Sequence, residues 1–159
     1  MRPAEELRAA VEAYLRSLTL ASELGQLEEA LRYSFESKGK RVRPVLCLAV
    51  VEAAGGDMEQ ALPAAAALEL VHTFSLVHDD LPAMDDDPER RGRPSSHVEF
   101  GDGVALLAGD ALLVEALRLP FVLIPTVNGD NNQHAQDENL RVGHFLTGTE
   151  IVYSLLTTP

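Results

Sequence analysis

Five carboxylates fall within the nine residues 79–87 of His78-Asp79-Asp80-Leu81-Pro82-Ala83-Met84-Asp85-Asp86-Asp87, and Arg90, Arg91 and Arg93 follow at once. Carboxylates this dense repel one another unless a cation sits among them. Mg²⁺ is the hard ion held by one or two carboxylates with phosphate oxygens completing its shell. Arginines just downstream would clamp the phosphate itself, since the guanidinium fork matches its oxygens. Together these residues point to a Mg²⁺-bound polyphosphate. A solvated acidic loop is the plain alternative. An EF-hand does not fit, because the D-x-[DN]-x-[DN]-G loop with its distal Glu is missing.

A second charged group lies upstream, where Lys40, Arg41 and Arg43 stand between Gly39 and Pro44. Gly and Pro make this a turn, and its cations make an anion-binding surface. Lys38 and Lys40 are the only lysines in a chain of 159 residues whose formal net charge is −12. Positive charge is thus concentrated at 38–43 and 90–93, which suits two anionic ligands around one acidic cluster. His72 precedes Asp79 by about two helical turns and falls on roughly the same face. It reads either as a packed core residue or as a donor to phosphate.

Helices must carry these groups. The run before the aspartates, AAAALELVHTFSLV at 64–77, is apolar and helix-forming. Pro82 cannot continue that helix far. Asp79 and Asp80 therefore belong to its last turn, at the negative end of the dipole, and Asp85 folds back from the turn. Helical patterns cover Ala4–Leu18, Gln26–Ser37, Pro44–Ala54, Glu59–Asp80 with a break expected near Pro63, and Gly103–Leu119. Strand alternation is absent before Phe121. The pattern is all-α, a helix bundle with polar ligands projecting between helices.

GKRVRP, LELVHTFSLVHDDLPAMDDD and RRGRPSSHVEFGDGVALLAGDALL resemble, in this order, the motifs of the all-trans polyprenyl diphosphate synthases of farnesyl and geranylgeranyl type. The resemblance covers residues 1–119 and implies part of the isoprenoid-synthase helix bundle. It implies that Asp79 and Asp85 bind Mg²⁺ and the allylic diphosphate, with Asp80 and Asp86 in support. Lys40, Arg43 and His72 match positions that hold isopentenyl diphosphate. Arg90 matches an allylic-diphosphate arginine and Arg91 a further isopentenyl diphosphate arginine. Phe74 matches a position where an aromatic ring limits product length, and the inserted Pro82 and Ala83 resemble the bacterial short-chain type. The implied reaction is head-to-tail condensation: the allylic diphosphate ionises, the double bond of isopentenyl diphosphate attacks the cation, and a proton leaves. Mg²⁺ and arginines stabilise the departing charge. A homodimer is the family's usual state.

Composition bounds the rest. One cysteine, Cys47, excludes an internal disulfide and fits a reducing, cytoplasmic setting as a packed core thiol. The acidic balance argues against nucleic acid as a partner. The N-terminal helix lacks the apolar stretch of a signal peptide, and no segment is expected to span a membrane.

After Leu119 the chain changes character. All four asparagines lie beyond residue 120, while alanine falls from nineteen in residues 1–119 to one, Ala135, in the last 40. FVLIP reads as a short strand, VNGDNNQ as a turn, and 143–156 as a final helix. The shift marks residues 120–159 as an unrelated-looking tail joined by fusion or deletion. That tail weakly resembles the C-terminal end of zinc exopeptidases of the aminoacylase and dipeptidase type, in which the position of His134 is a zinc ligand. One imidazole does not make a zinc site. The second aspartate-rich motif of the synthases has no counterpart after Leu119, so the chain is expected to be truncated and not competent alone. Two further readings stay open: a non-catalytic fusion or deletion product, and, more remotely, a zinc peptidase fragment.

Overall fold

The computed structural model describes residues 2–20 and 25–119, which all lie in one compact unit, Met1–Phe121. The expected tail strand, the tail helix and His134 lie outside the described residues. Six helices and one small hairpin follow in order among the described residues: α1 Ala4–Ser17, α2 Gln26–Phe35, α3 Val42–Ala53, α4 Met58–Asp79, β1 Glu89–Arg90, β2 Arg93–Pro94, α5 Ser96–Phe100 and α6 Asp102–Arg118. The chain is all-α in character, as its helical periodicity predicts.

The bundle is organised around α4, which packs along α6 and α3 and also meets α1 and α2. Each outer helix brings an apolar stripe one turn apart. Leu7, Val11 and Leu15 of α1 are buried, as are Leu31 and Phe35 of α2, Leu48 of α3, and Leu112 and Ala116 of α6. Small residues line the centre. Ala65, Ala66 and Ala67 of α4 are buried, as are Ala105, Ala108 and Gly109 of α6, and at Gly109 the two helices approach closely, since a Cβ there would overlap the His78 ring. Cys47 is half-buried, packs on this core, and burial raises its thiol pKa.

Local chemistry sets the helix limits. Asp57 caps α4 by accepting the Glu59 N–H at 2.9 Å. Pro44 falls in the first turn of α3, where a missing N–H breaks no helical hydrogen bond. The break expected near Pro63 does not occur, and α4 runs unbroken through it. The N–H absent at Pro63 would have met the carbonyl of Glu59, an exposed residue whose oxygen water can satisfy.

Three further features differ from the sequence reading. The loop 81–102 contains the hairpin and α5. In the hairpin, Glu89 pairs with Pro94 and Arg90 with Arg93. With 22 residues and a mean hydropathy of 1.2 over its most apolar window, α4 also meets the length and composition of a membrane span, which was not expected. It does so because it is the central helix, surrounded by four others and apolar on nearly every side. Some apolar side chains remain outside: Val42, Leu46 and Val50 form an exposed stripe on α3, and Leu107, Val114 and Leu117 on α6.

Candidate diphosphate and metal site

Asp79 is the last residue of α4, and Asp80 caps it. The chain then turns sharply. Met84 N–H donates to the Leu81 carbonyl at 2.8 Å, and Asp85 N–H donates to the Asp79 carbonyl at 2.8 Å. That second bond closes the turn and ties the Asp79 and Asp85 backbones together, as the sequence predicts. It also satisfies one of the carbonyls that a helix C-terminus leaves open.

Asp80 has a different environment. It is buried at 2 % exposure, and both of its oxygens accept from Arg90 Nε, at 2.8 and 2.7 Å, with Nη2 adding a contact at 2.5 Å. This is the bidentate fork that gives Arg–carboxylate pairs their strength. Asp80 raises the Arg90 pKa through these bonds, against the opposing effect of burial. Asp87 lies 3.7 Å from the same guanidinium.

The cationic groups line a separate cavity of about 580 Å³. Lys38 and Lys40 reach it from the loop before α3, Arg43 from the first turn of α3, His72 from α4, Arg91 from the hairpin turn and Arg8 from α1. His72 is half-buried, and its pKa falls to about 4, first through burial and then through Arg43, Arg91, Arg90 and Arg41. At neutral pH the ring is therefore uncharged and can donate one hydrogen bond and accept another. Burial, followed by Arg41, lowers the Arg91 pKa, though its guanidinium stays charged.

Arg41 anchors the loop. It is 4 % exposed, and its Nη1 donates to Glu69 Oε1 at 2.6 Å across to α4, itself 2 % exposed. Its Nη2 donates to the carbonyls of Phe35 at 2.6 Å and Ser37 at 2.8 Å, at the end of α2. One guanidinium thus holds α2, α4 and the loop 38–41 in one geometry. Gly39 leaves room for the neighbouring arginine, since a Cβ there would lie 2.7 Å from Arg91 Nη1.

Arg90 and Arg91 are adjacent yet have different partners. Arg91 and Gly92 form the two-residue turn of the hairpin, with φ of 57° and 76°, the positive pair expected of a type I′ turn. Arg91 Nη1 donates to Ser37 Oγ at 3.2 Å, while Arg90 stays on Asp80. The non-glycine residues with positive φ among those described are Arg41, Asp86 and Arg91, and each belongs to one of the charged clusters. Non-glycine side chains at positive φ are strained, and such strain concentrates at functional sites.

The structure brings Lys40, Arg43, His72 and Arg91 to one cavity, and Asp79 and Asp85 to one turn. Phe74 is half-buried on α4, edge-on to the His78 ring at 4.7 Å between centroids. Sequence reasoning passed over Arg8, Arg41 as an anchor, and Glu69. The signal for Glu69 was present, because a lone carboxylate within AAAALEL must find a buried cation.

Two carboxylates on one turn suit a partly hydrated Mg²⁺ shared with phosphate oxygens. They do not make an all-protein cage: among the described residues no group of three or more His, Cys, Asp or Glu side chains is placed to hold a metal ion.

Comparison with known proteins identifies the family. The polyprenyl synthetase family profile matches residues 25–135 and so runs past Leu119. A geranylgeranyl diphosphate synthase of Cyanophora paradoxa is 56% identical over 100 residues, which are 63% of this chain and 33% of that protein. A farnesyl diphosphate synthase of Geobacillus stearothermophilus is 46% identical over 115 residues, covering 72% of this chain and 39% of the relative. The crystal structure of a geranyltranstransferase from Thermotoga maritima superposes with a TM-score of 0.69 at 43% identity, over 72% of this chain and 43% of the other. The chain spans about a third of the length of the curated relatives it matches. With the family profile matched over more than half of its residues, this chain belongs to the polyprenyl synthetase family.

Proposed function

We propose that this chain carries the diphosphate-binding part of a short-chain all-trans prenyltransferase, which condenses isopentenyl diphosphate with an allylic diphosphate. The observation that carries this reading is the pairing of two charged sites. An Asp79–Asp85 carboxylate turn stands on one side, a cavity lined by Lys40, Arg43, His72 and Arg91 on the other, and the consecutive Arg90 and Arg91 join them.

In this reading Asp79 and Asp85 hold Mg²⁺ against the allylic diphosphate, and the metal supplies charge neutralisation there. Arg90 is presented toward that ligand by Asp80, whose role is to orient the guanidinium. Lys40, Arg43 and Arg91 hold the second diphosphate by charge-assisted hydrogen bonds. The neutral His72 adds a donor. Phe74, on α4 before Asp79, limits the length of the growing prenyl chain. The working unit is a homodimer.

The sequence holds no second aspartate-rich motif after Leu119, and residues 120–159 are proposed to be an unrelated tail, although the family profile extends to residue 135. Binding without turnover is therefore expected of this chain. Calorimetry with inorganic pyrophosphate, with and without Mg²⁺, tests the reading. Mg²⁺-dependent binding that is lost in Asp79→Ala supports it, and identical heats with and without Mg²⁺ would sink it.

A further inference from the structure

The cationic cavity has one wall that comes from outside the segments carrying its other charges. Arg8 of α1 reaches it beside Lys38, Lys40, Arg43 and Arg91. Helix α1 is fixed by its buried stripe of Leu7, Val11 and Leu15, so the face bearing Arg8 is fixed too. Glu12, one turn on from Arg8, supports this orientation, since its Oε1 lies 4.0 Å from the buried Arg41 Nε.

The electrostatics favour a role in ligand binding. Among the described residues, six cationic side chains and one carboxylate, Glu69, line the cavity, leaving a formal charge of +5 with His72 neutral. Glu69 is already committed to Arg41. Arg8 instead meets Glu5 at 2.6 Å, an i,i+3 contact in which the two side chains are 42% and 78% exposed. An exposed pair of this kind contributes little to folding. An anion with several charges inside the cavity would draw the Arg8 guanidinium away from Glu5 at small cost, because the arginine stem is flexible and already half in solvent.

We propose that Arg8 is a further binding residue of the cationic cavity and contacts the diphosphate held there, so that α1 forms part of the ligand site. This inference rests on the reading that the cavity binds a diphosphate. Its test is inorganic pyrophosphate binding without metal, by calorimetry on the full chain at low salt. Wild type is compared with Arg8→Ala, Arg8→Lys, Glu5→Gln and Arg43→Ala, and each variant is also melted.

The expected result is a loss of about five- to tenfold in affinity for Arg8→Ala, the weight of an ordinary hydrogen bond, because this guanidinium is half in solvent. Arg8→Lys should retain most of the affinity, and Glu5→Gln should bind as well as wild type or better. The melting temperature of each Arg8 variant should match wild type, and the Arg8→Ala deficit should shrink as salt screens the cavity. If Arg43→Ala weakens binding while Arg8→Ala does not, the inference is overturned and the functional reading stands. Equal losses in Arg8→Ala and Arg8→Lys, accompanied by lower melting temperatures, would make Arg8 a structural residue and overturn it as well. Absence of pyrophosphate binding by wild type would overturn the functional reading itself.

Discussion

Removing the Glu69 carboxylate should be among the most damaging single changes in the described part of the chain. Glu69 and Arg41 are 2 % and 4 % exposed and meet at 2.6 Å, so neither charge has water as an alternative partner. Glu69→Ala leaves a buried guanidinium uncompensated, which typically costs about 3–5 kcal/mol. In a unit of this size, between the small and the large domain classes, each kcal/mol moves the melting temperature by roughly 4 °C. A typical domain has only about 5–15 kcal/mol of stability, so Glu69→Ala should leave the unit close to unfolding. Glu69→Gln keeps an oxygen for Arg41 Nη1 and loses only the charge, so its effect should be about half as large. The double variant Arg41→Met/Glu69→Leu removes both charges, but it leaves the Phe35 and Ser37 carbonyls without their donor. It should therefore fall between the other two, whereas a pair with no further bonds could be replaced almost neutrally. Urea unfolding followed by far-ultraviolet circular dichroism measures all three. A Glu69→Ala chain within about 1 kcal/mol of wild type would refute the claim that this pair is desolvated.

The other expectations are smaller in scale. The His72 pKa of about 4 lies below its ordinary 6.5, so the unfolded chain binds a proton that the folded chain does not. The stability this neutral ring contributes is complete above 6.5 and is lost as the pH falls toward 4. An NMR titration of the imidazole should show the low midpoint, rising when pyrophosphate binds, and a midpoint near 6.5 in the free chain would refute the placement. Gly109→Ala would drive a methyl group into the His78 imidazole where α4 and α6 meet, at about 1–3 kcal/mol. Gly103→Ala on the same helix meets nothing within 4 Å and should be neutral or stabilising, so equal melting shifts for the two would argue against the close approach. Asp79→Ala should weaken Mg²⁺-dependent pyrophosphate binding far more than Asp87→Ala. Similar losses in both would mean that the cluster acts as diffuse charge and not through a specific turn.

What the sequence made legible was whatever repeats locally. Leu7, Val11 and Leu15 announce α1, and Pro82 announces where α4 must stop. The fold-back of Asp85 begins at that stop, and the bond from Asp85 N–H to the Asp79 carbonyl closes it. The hairpin left no such trace, since two-residue strands give no alternation to read. Its turn uses arginine at the first position, where Asn or Gly would have signalled it. Long-range pairing was equally silent. Glu69 and Arg41 are 28 residues apart, and nothing near either residue names the other. Arg8 was invisible for the same reason: its helix was plain from periodicity, but the direction of its polar face depends on packing against α3 and α4. Assignment of Lys40, Arg43, His72 and Arg91 to one ligand rested on resemblance, whereas their convergence on one cavity is a property of the fold.

The backbone at Asp86 and Arg91 sets selection for stability against selection for binding. Both hold left-handed φ angles, 52° and 57°, that Gly or Asn would adopt with less strain. A directed-evolution screen that rewarded only heat tolerance would therefore favour Gly or Asn at these two positions, and at Arg91 it would remove a cation from the cavity. The same screen should spare Arg41, despite its φ of 49°, because its guanidinium ties three segments together. Libraries selected first for retention on a pyrophosphate resin and then for heat tolerance should keep Arg91, and the order of the two selections would decide which protein emerges.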